Sequence, residues 1–133
     1  MHVDVPKRFV DDWWVMKAIL MFDDMTLTNG PTRIVPGSHL WAPINVPYVN
    51  IGDREPEPLS AEDQKRIPKD LGAPYPGKIM VTAPARAATI CNSSMWHSGP
   101  LKHDDTHRRM LRTSPTPEET FPQQLTQIDH LTK

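Results

Sequence analysis

The chain has 133 residues, enough for one domain and not two. Its 15 basic and 16 acidic residues leave a net charge of −1. That balance offers no basic field for nucleic acid and no acidic tail for a cationic partner. The one cysteine, Cys91, excludes an internal disulfide and suits a reducing compartment. Fifteen prolines, well above the average usage of about 5%, favour loops over long helices.

Residues 1–10 read as a short strand interrupted by Pro6, then a loop. Residues 1–20 lack the apolar stretch and small-residue cleavage site of a secretory leader. Trp13 to Phe22 is aromatic, β-branched and apolar, and reads as a buried strand. It is about half the length needed to span a bilayer and contains Lys17, so the chain is expected to be soluble and cytoplasmic, with no membrane partner. Lys17 reads as an outward lysine with its stem along the apolar surface, in preference to one facing a cavity. Asn29-Gly30 marks a turn, because both residues tolerate positive φ. Thr32 to Val35 is a second strand, stopped by Pro36-Gly37.

Residues 38–77 form a long connection, the kind of segment that is usually functional or partly mobile. Within it, Ser60 to Ile67 spells a short helix. Ser60 caps it, Glu62 and Asp63 complement its N-terminal dipole, and Pro68 ends it. Strands resume at Lys78–Thr82, Ala87–Trp96 and Arg108–Thr113. From Pro115 the alternation is lost. The expected organisation is one β domain over residues 1–114 and an irregular tail over residues 115–133.

The residues with chemistry lie at both ends of that domain. In an extended strand, positions i and i+2 point to one face, so His2 and Asp4 can reach one point in space. His97, in Ser-Ser-Met-Trp-His-Ser-Gly, supplies a third ligand from a distant strand. Two histidines and one carboxylate on one face of a metal are diagnostic of non-heme Fe(II) oxygenases. The competing reading makes His2 and Asp4 two solvated residues at a frayed terminus, and His97 a hydrogen-bonded histidine at a strand end. Along Ala87–Trp96, alternation puts Thr89, Cys91, Ser93, Met95 and His97 on one face. Arg108 follows His97 by eleven residues and is a planar cation suited to a carboxylate. Arg109 would point to the opposite face. His39, His103, His107 and His130 read as structural or surface histidines. Trp13, Trp14 and Trp41 read as packing.

Taken in order, His2-x-Asp4, Asp24-x-Thr26-x-x-Asn29-Gly30-Pro31, Pro36-Gly37-Ser38-His39, Trp96-His97-Ser98-Gly99 and Arg108 resemble the phytanoyl-CoA dioxygenase family of Fe(II)/2-oxoglutarate oxygenases. The resemblance implies an all-β, cupin-like double-stranded β-helix (jelly roll) with one short helix in a long loop. It implies Fe(II) on His2, Asp4 and His97, and 2-oxoglutarate as cosubstrate with its far carboxylate on Arg108. Ser98 lies one residue from where the family often offers a hydroxyl to that carboxylate. O2 and a small organic molecule would be the other reactants, and residues 40–77 would close over the site. The family's usual segment before His-x-Asp has no counterpart here, so the jelly roll is expected to be incomplete at its N-terminus. An exposed sheet edge would then favour oligomers. Three readings follow: an active dioxygenase hydroxylating a small substrate, a C-terminal portion of one, or an inactive jelly-roll module that binds a ligand or partner. A cupin-type metal protein without 2-oxoglutarate is a fourth, against which Arg108 argues.

Overall fold

A computed structural model of the chain describes residues 1–12, 15–45 and 58–114. Six strands lie in them: β1 (Met16–Met21), β2 (Arg33–Ile34), β3 (Ile79–Met80), β4 (Ala88–Asn92), β5 (His97–Ser98) and β6 (Met110–Thr113). They form two antiparallel three-stranded sheets, ordered β4-β1-β6 and β3-β2-β5. The described residues are thus all-β apart from α1 (Ala61–Arg66) and a single 3-10 turn at Ser38–Leu40. No helix among them is long and apolar enough to cross a membrane.

β1 shows why the first sheet has two distinct faces. Lys17, Ile19 and Met21 are buried, while Met16 and Leu20 are exposed. Residues directly opposite in an antiparallel pair share a face. The register therefore puts Cys91 and Thr89 of β4, and Arg112 and Met110 of β6, on the buried side of β1. Ile19, Met21 and Met25 pack there with Val81, Ala83 and Met110. The other face presents Met16, Leu20, Ile90 and Leu111 to solvent.

A second cluster, Met1, Val35, Ile44 and Trp96, is closed by Trp41, Leu59, Leu71 and Tyr75 from the long connection. Trp96 anchors it. Its ring stands edge-on to Trp41 and Tyr75, with centroids 5.3 and 5.1 Å away. Its indole N–H donates to the Ile44 carbonyl at 3.1 Å. Trp41 is thus packing, as its sequence context indicates. Trp13, Trp14, residues 46–57 and the 115–133 tail lie outside the described residues.

The helix forms as its sequence spells it. The Ser60 hydroxyl oxygen accepts the Asp63 backbone N–H at 3.0 Å, and α1 ends before Pro68. At the other predicted turn, Gly30 takes a φ of 79°. A Cβ there would press on the Pro100 carbonyl oxygen at 3.1 Å, which adds a tight contact to the backbone's preference for glycine.

Two expectations need correction. The continuous strand expected over Ala87–Trp96 is broken at Ser93–Met95. The Asn92 side chain accepts the Ser94 N–H at 2.8 Å, and the Asn92 carbonyl accepts the Met95 N–H at 3.1 Å. This local turn moves the chain from the β1 sheet to the β2 sheet. His97 therefore does not continue the face of Thr89 and Cys91, and instead sits opposite Ile34 on β2. The expected N-terminal strand is reduced to an isolated bridge, in which His2 and His97 exchange backbone hydrogen bonds of 2.8 and 3.0 Å.

Candidate metal centre

Backbone pairing brings the two histidines together, and the turn at Ser93 brings in the carboxylate. The Ser93 carbonyl accepts the Asp4 and Val5 N–H groups at 3.1 and 3.3 Å. Asp4 is thereby fastened beside the His2–His97 bridge. Asp4 Oδ1 lies 3.3 Å from His2 Nε2 and 3.2 Å from His97 Nε2. The three donor atoms all fall within 4.8 Å of one another.

This donor set fits a metal ion. Imidazole and carboxylate ligands at about 2.1 Å and right angles would stand about 3.0 Å apart, close to the two distances around Asp4. Two imidazoles and one carboxylate are also the donors Fe(II) accepts. His97 is set up to give a lone pair. Its Nδ1 lies 2.9 Å from the Met95 carbonyl, which can only accept. The Nδ1–H therefore donates there and leaves Nε2 as the acceptor nitrogen. Burial, reinforced by Lys17, holds His97 far below its ordinary value of 6.5, at about 3. His2 is pushed down for the same two reasons, burial first. Both rings are neutral at physiological pH, as metal ligands must be.

The depressed His97 also predicts how the metal-free chain responds to acid. Its folded-state pKa lies below the unfolded value, so the unfolded chain takes up the proton first. Stability is full above 6.5 and is lost as pH falls toward about 3. Denaturant unfolding across that window should show a steeper acid loss for the natural chain than for His97→Gln. Parallel profiles would contradict it.

Lys17 does not point outward, contrary to the sequence expectation. It is 3% exposed, and its ammonium donates to Asp4 Oδ2 and to His97 Nε2, the latter at 3.1 Å. The reason is its position: it alternates with Ile19 and Met21 onto the buried face, where Asp4 gives it a partner. Burial, with the charge of Arg112 behind it, lowers the ammonium to about 8, so it remains protonated at neutral pH. Lys17 is a part of this centre that reasoning from sequence missed. The parity of β1 carried the signal, and a general rule about lysines overrode it.

Among the described residues, no hydrogen bond joins Arg108 to the triad. Its guanidinium donates to the Gly30 carbonyl oxygen. It lines a cleft of about 620 Å³ together with Phe22, Thr32, Gly99, Arg109, Met110 and Arg112. Arg109 pairs with Asp23 at 2.7 Å on the surface. Ser98, beside His97 on β5, turns its hydroxyl to the Met1 sulfur at 3.3 Å, and no hydrogen bond joins it to the triad. His39 is half-buried, and its carbonyl receives the Lys7 ammonium at 2.6 Å. Arg112, which sequence reasoning also passed over, lies near enough for its charge to act on His2, Lys17, Cys91 and His97.

Comparison with known protein families gives a match to the model described as phytanoyl-CoA dioxygenase (PhyH) over residues 6–98. That span is more than half of the chain. It includes Lys17 and His97, and it leaves His2, Asp4 and Arg108 outside.

Proposed function

Because the chain belongs to the phytanoyl-CoA dioxygenase family, we propose that it is an Fe(II)- and 2-oxoglutarate-dependent dioxygenase that hydroxylates a small organic substrate. The observation that carries this reading is the convergence of His2 Nε2, Asp4 Oδ1 and His97 Nε2 within 4.8 Å. In this reading these three residues hold Fe(II). The bound iron supplies the chemistry of O2 activation and C–H oxidation. Arg108 forks onto the far carboxylate of 2-oxoglutarate, and its five N–H donors allow it to keep the Gly30 carbonyl while it does so. Two antiparallel sheets, with the triad drawn from β5 and from the terminal residues that pair with it, are what a double-stranded β-helix would provide.

The protein's own contribution is positioning. Asp4 is held through its backbone on Ser93, His97 through Nδ1 on Met95, and His2 through its bridge to His97. Partners of this kind fix ligand orientation and typically matter 10–100-fold, in round numbers, for metal affinity or activity.

A second reading has one observation in its favour. Lys17 already satisfies Asp4 and His97 with a positive charge. A binding module without metal could be held together by that ion cluster alone. Turnover separates the two. Purified protein given Fe(II), ascorbate and 2-oxoglutarate should form succinate slowly even without its substrate, and Asp4→Asn should not. Metal-saturated protein that leaves 2-oxoglutarate intact would favour the module.

A further inference from the structure

We propose that Asn29 is a positioning residue for the cosubstrate: it holds the turn whose Gly30 carbonyl fixes the Arg108 guanidinium. The inference rests on the oxygenase reading for the cosubstrate, and on the hydrogen bonds of the turn for the positioning. Asp24-x-Thr26-x-x-Asn29-Gly30 supplies no ligand to the triad, yet it meets Arg108. The bond from the Arg108 guanidinium to the Gly30 carbonyl is the one hydrogen bond of that side chain among the described residues.

Asn29 is 1% exposed and braces the turn from inside. Its Oδ1 accepts the Thr26 N–H at 2.9 Å, and its Nδ2 donates to the Asp24 carbonyl at 2.8 Å. Its own N–H donates to the Thr26 hydroxyl oxygen at 3.3 Å. The turn is also tied to the segment that leads to Arg108. The Thr28 carbonyl accepts the His103 N–H at 2.7 Å, and the Thr28 hydroxyl donates to Asp104. Two residues beyond Gly30, buried Thr32 lines the same cleft as Arg108. Turn and arginine therefore border one space. The consequence is preorganisation. Arg108 is exposed, and a solvated arginine loses rotamer freedom when a carboxylate orders it. The Gly30 carbonyl orders the guanidinium in advance and leaves further N–H donors for the ligand. Asn29 should thus matter to the far carboxylate of the cosubstrate and not to its keto-acid end.

The test is calorimetric titration of anaerobic Fe(II)-loaded protein with 2-oxoglutarate and with 2-oxobutyrate, which lacks the far carboxylate. Asn29→Ala should weaken 2-oxoglutarate at least ~10-fold, about 1.4 kcal/mol, and leave 2-oxobutyrate unchanged. In an Arg108→Met background, Asn29→Ala should add no further loss. Should Asn29→Ala fail to fold, Thr26→Val at an exposed position removes the acceptor of the Asn29 N–H and should show a smaller loss of the same kind. Equal weakening of both oxo acids (a structural role only), undiminished 2-oxoglutarate binding in the folded variants, or an additive loss with Arg108→Met would each overturn the proposal. A natural chain that binds neither oxo acid would instead sink the oxygenase reading. The Arg108 side-chain N–H resonance, followed by nitrogen-15 relaxation in the metal-free chain, then decides the turn's role. Faster motion in Asn29→Ala or Thr26→Val supports it, and unchanged motion overturns it.

Discussion

Replacing Asp4 by asparagine is expected to weaken divalent-metal binding by more than ~100-fold, because a direct ligand should matter more than its supporting partners. The carboxylate faces both histidines through one oxygen and Lys17 through the other. Its loss should therefore be felt twice. Metal loses its only anionic donor in the triad, and Lys17, 3% exposed, keeps a buried charge without its counter-ion. Breaking a fully buried pair costs about 3–5 kcal/mol. Asp4 is 31% exposed at its side chain, so about 2 kcal/mol is expected here. The two effects can be separated. Asp4→Asn/Lys17→Met should regain most of the stability and none of the metal affinity, measured by denaturant unfolding and by Mn(II) titration. A double variant as unstable as the single one would show that Lys17 is not the source of the cost.

Lys17→Met alone should act in the opposite direction and tighten divalent-metal binding by at least ~10-fold. The ammonium takes the His97 lone pair that a metal needs, and it adds a positive charge beside an incoming dication. At an effective dielectric constant of about 20, unit charges 4 Å apart interact by about 4 kcal/mol, and a dication doubles this. Against it stands the loss of one charge-assisted hydrogen bond to Asp4 Oδ2, worth about 1.5–3 kcal/mol. Repulsion is the larger quantity. Mn(II) affinity measured by electron paramagnetic resonance checks the sign. Weaker binding in Lys17→Met would mean that the lysine orients the carboxylate and that this outweighs its charge.

The parts of this centre that sequence revealed are those that depend on short-range geometry. His2 and Asp4 are two residues apart, and an extended backbone sends both to one side. Asn29-Gly30, the Ser60 cap and the stop before Pro68 are also local, and each appears where the residues place it. The break after Asn92 was not legible in the same way. Asn-Ser-Ser-Met contains no glycine or proline, and the turn depends on the Asn92 side chain accepting its own backbone two residues on. Nor does a sequence show that Lys17 will find Asp4 thirteen residues away, which is what permits its burial. Arg112 illustrates the same limit. Its relation to the histidines follows from the β1–β6 register, a long-range pairing that no local pattern encodes.

The sheet carrying β1 leaves Met16, Leu20, Ile90 and Leu111 exposed on the face away from the triad. The centre itself lies on the other face, between Asp4, His97 and the buried side of β1. Lys17 links the two levels. The alternation that places Ile19 and Met21 in the core also carries an ammonium to the carboxylate and imidazole that would bind a metal.

The most direct test is an anaerobic titration with Fe(II) and then 2-oxoglutarate, following the visible charge-transfer absorption of a chelated 2-oxo acid. The account predicts a band in the natural chain, its loss in His97→Ala and its weakening in Arg108→Ala. Folded protein that binds Fe(II) and 2-oxoglutarate without a band, or gives none at saturating concentrations of both, would contradict it.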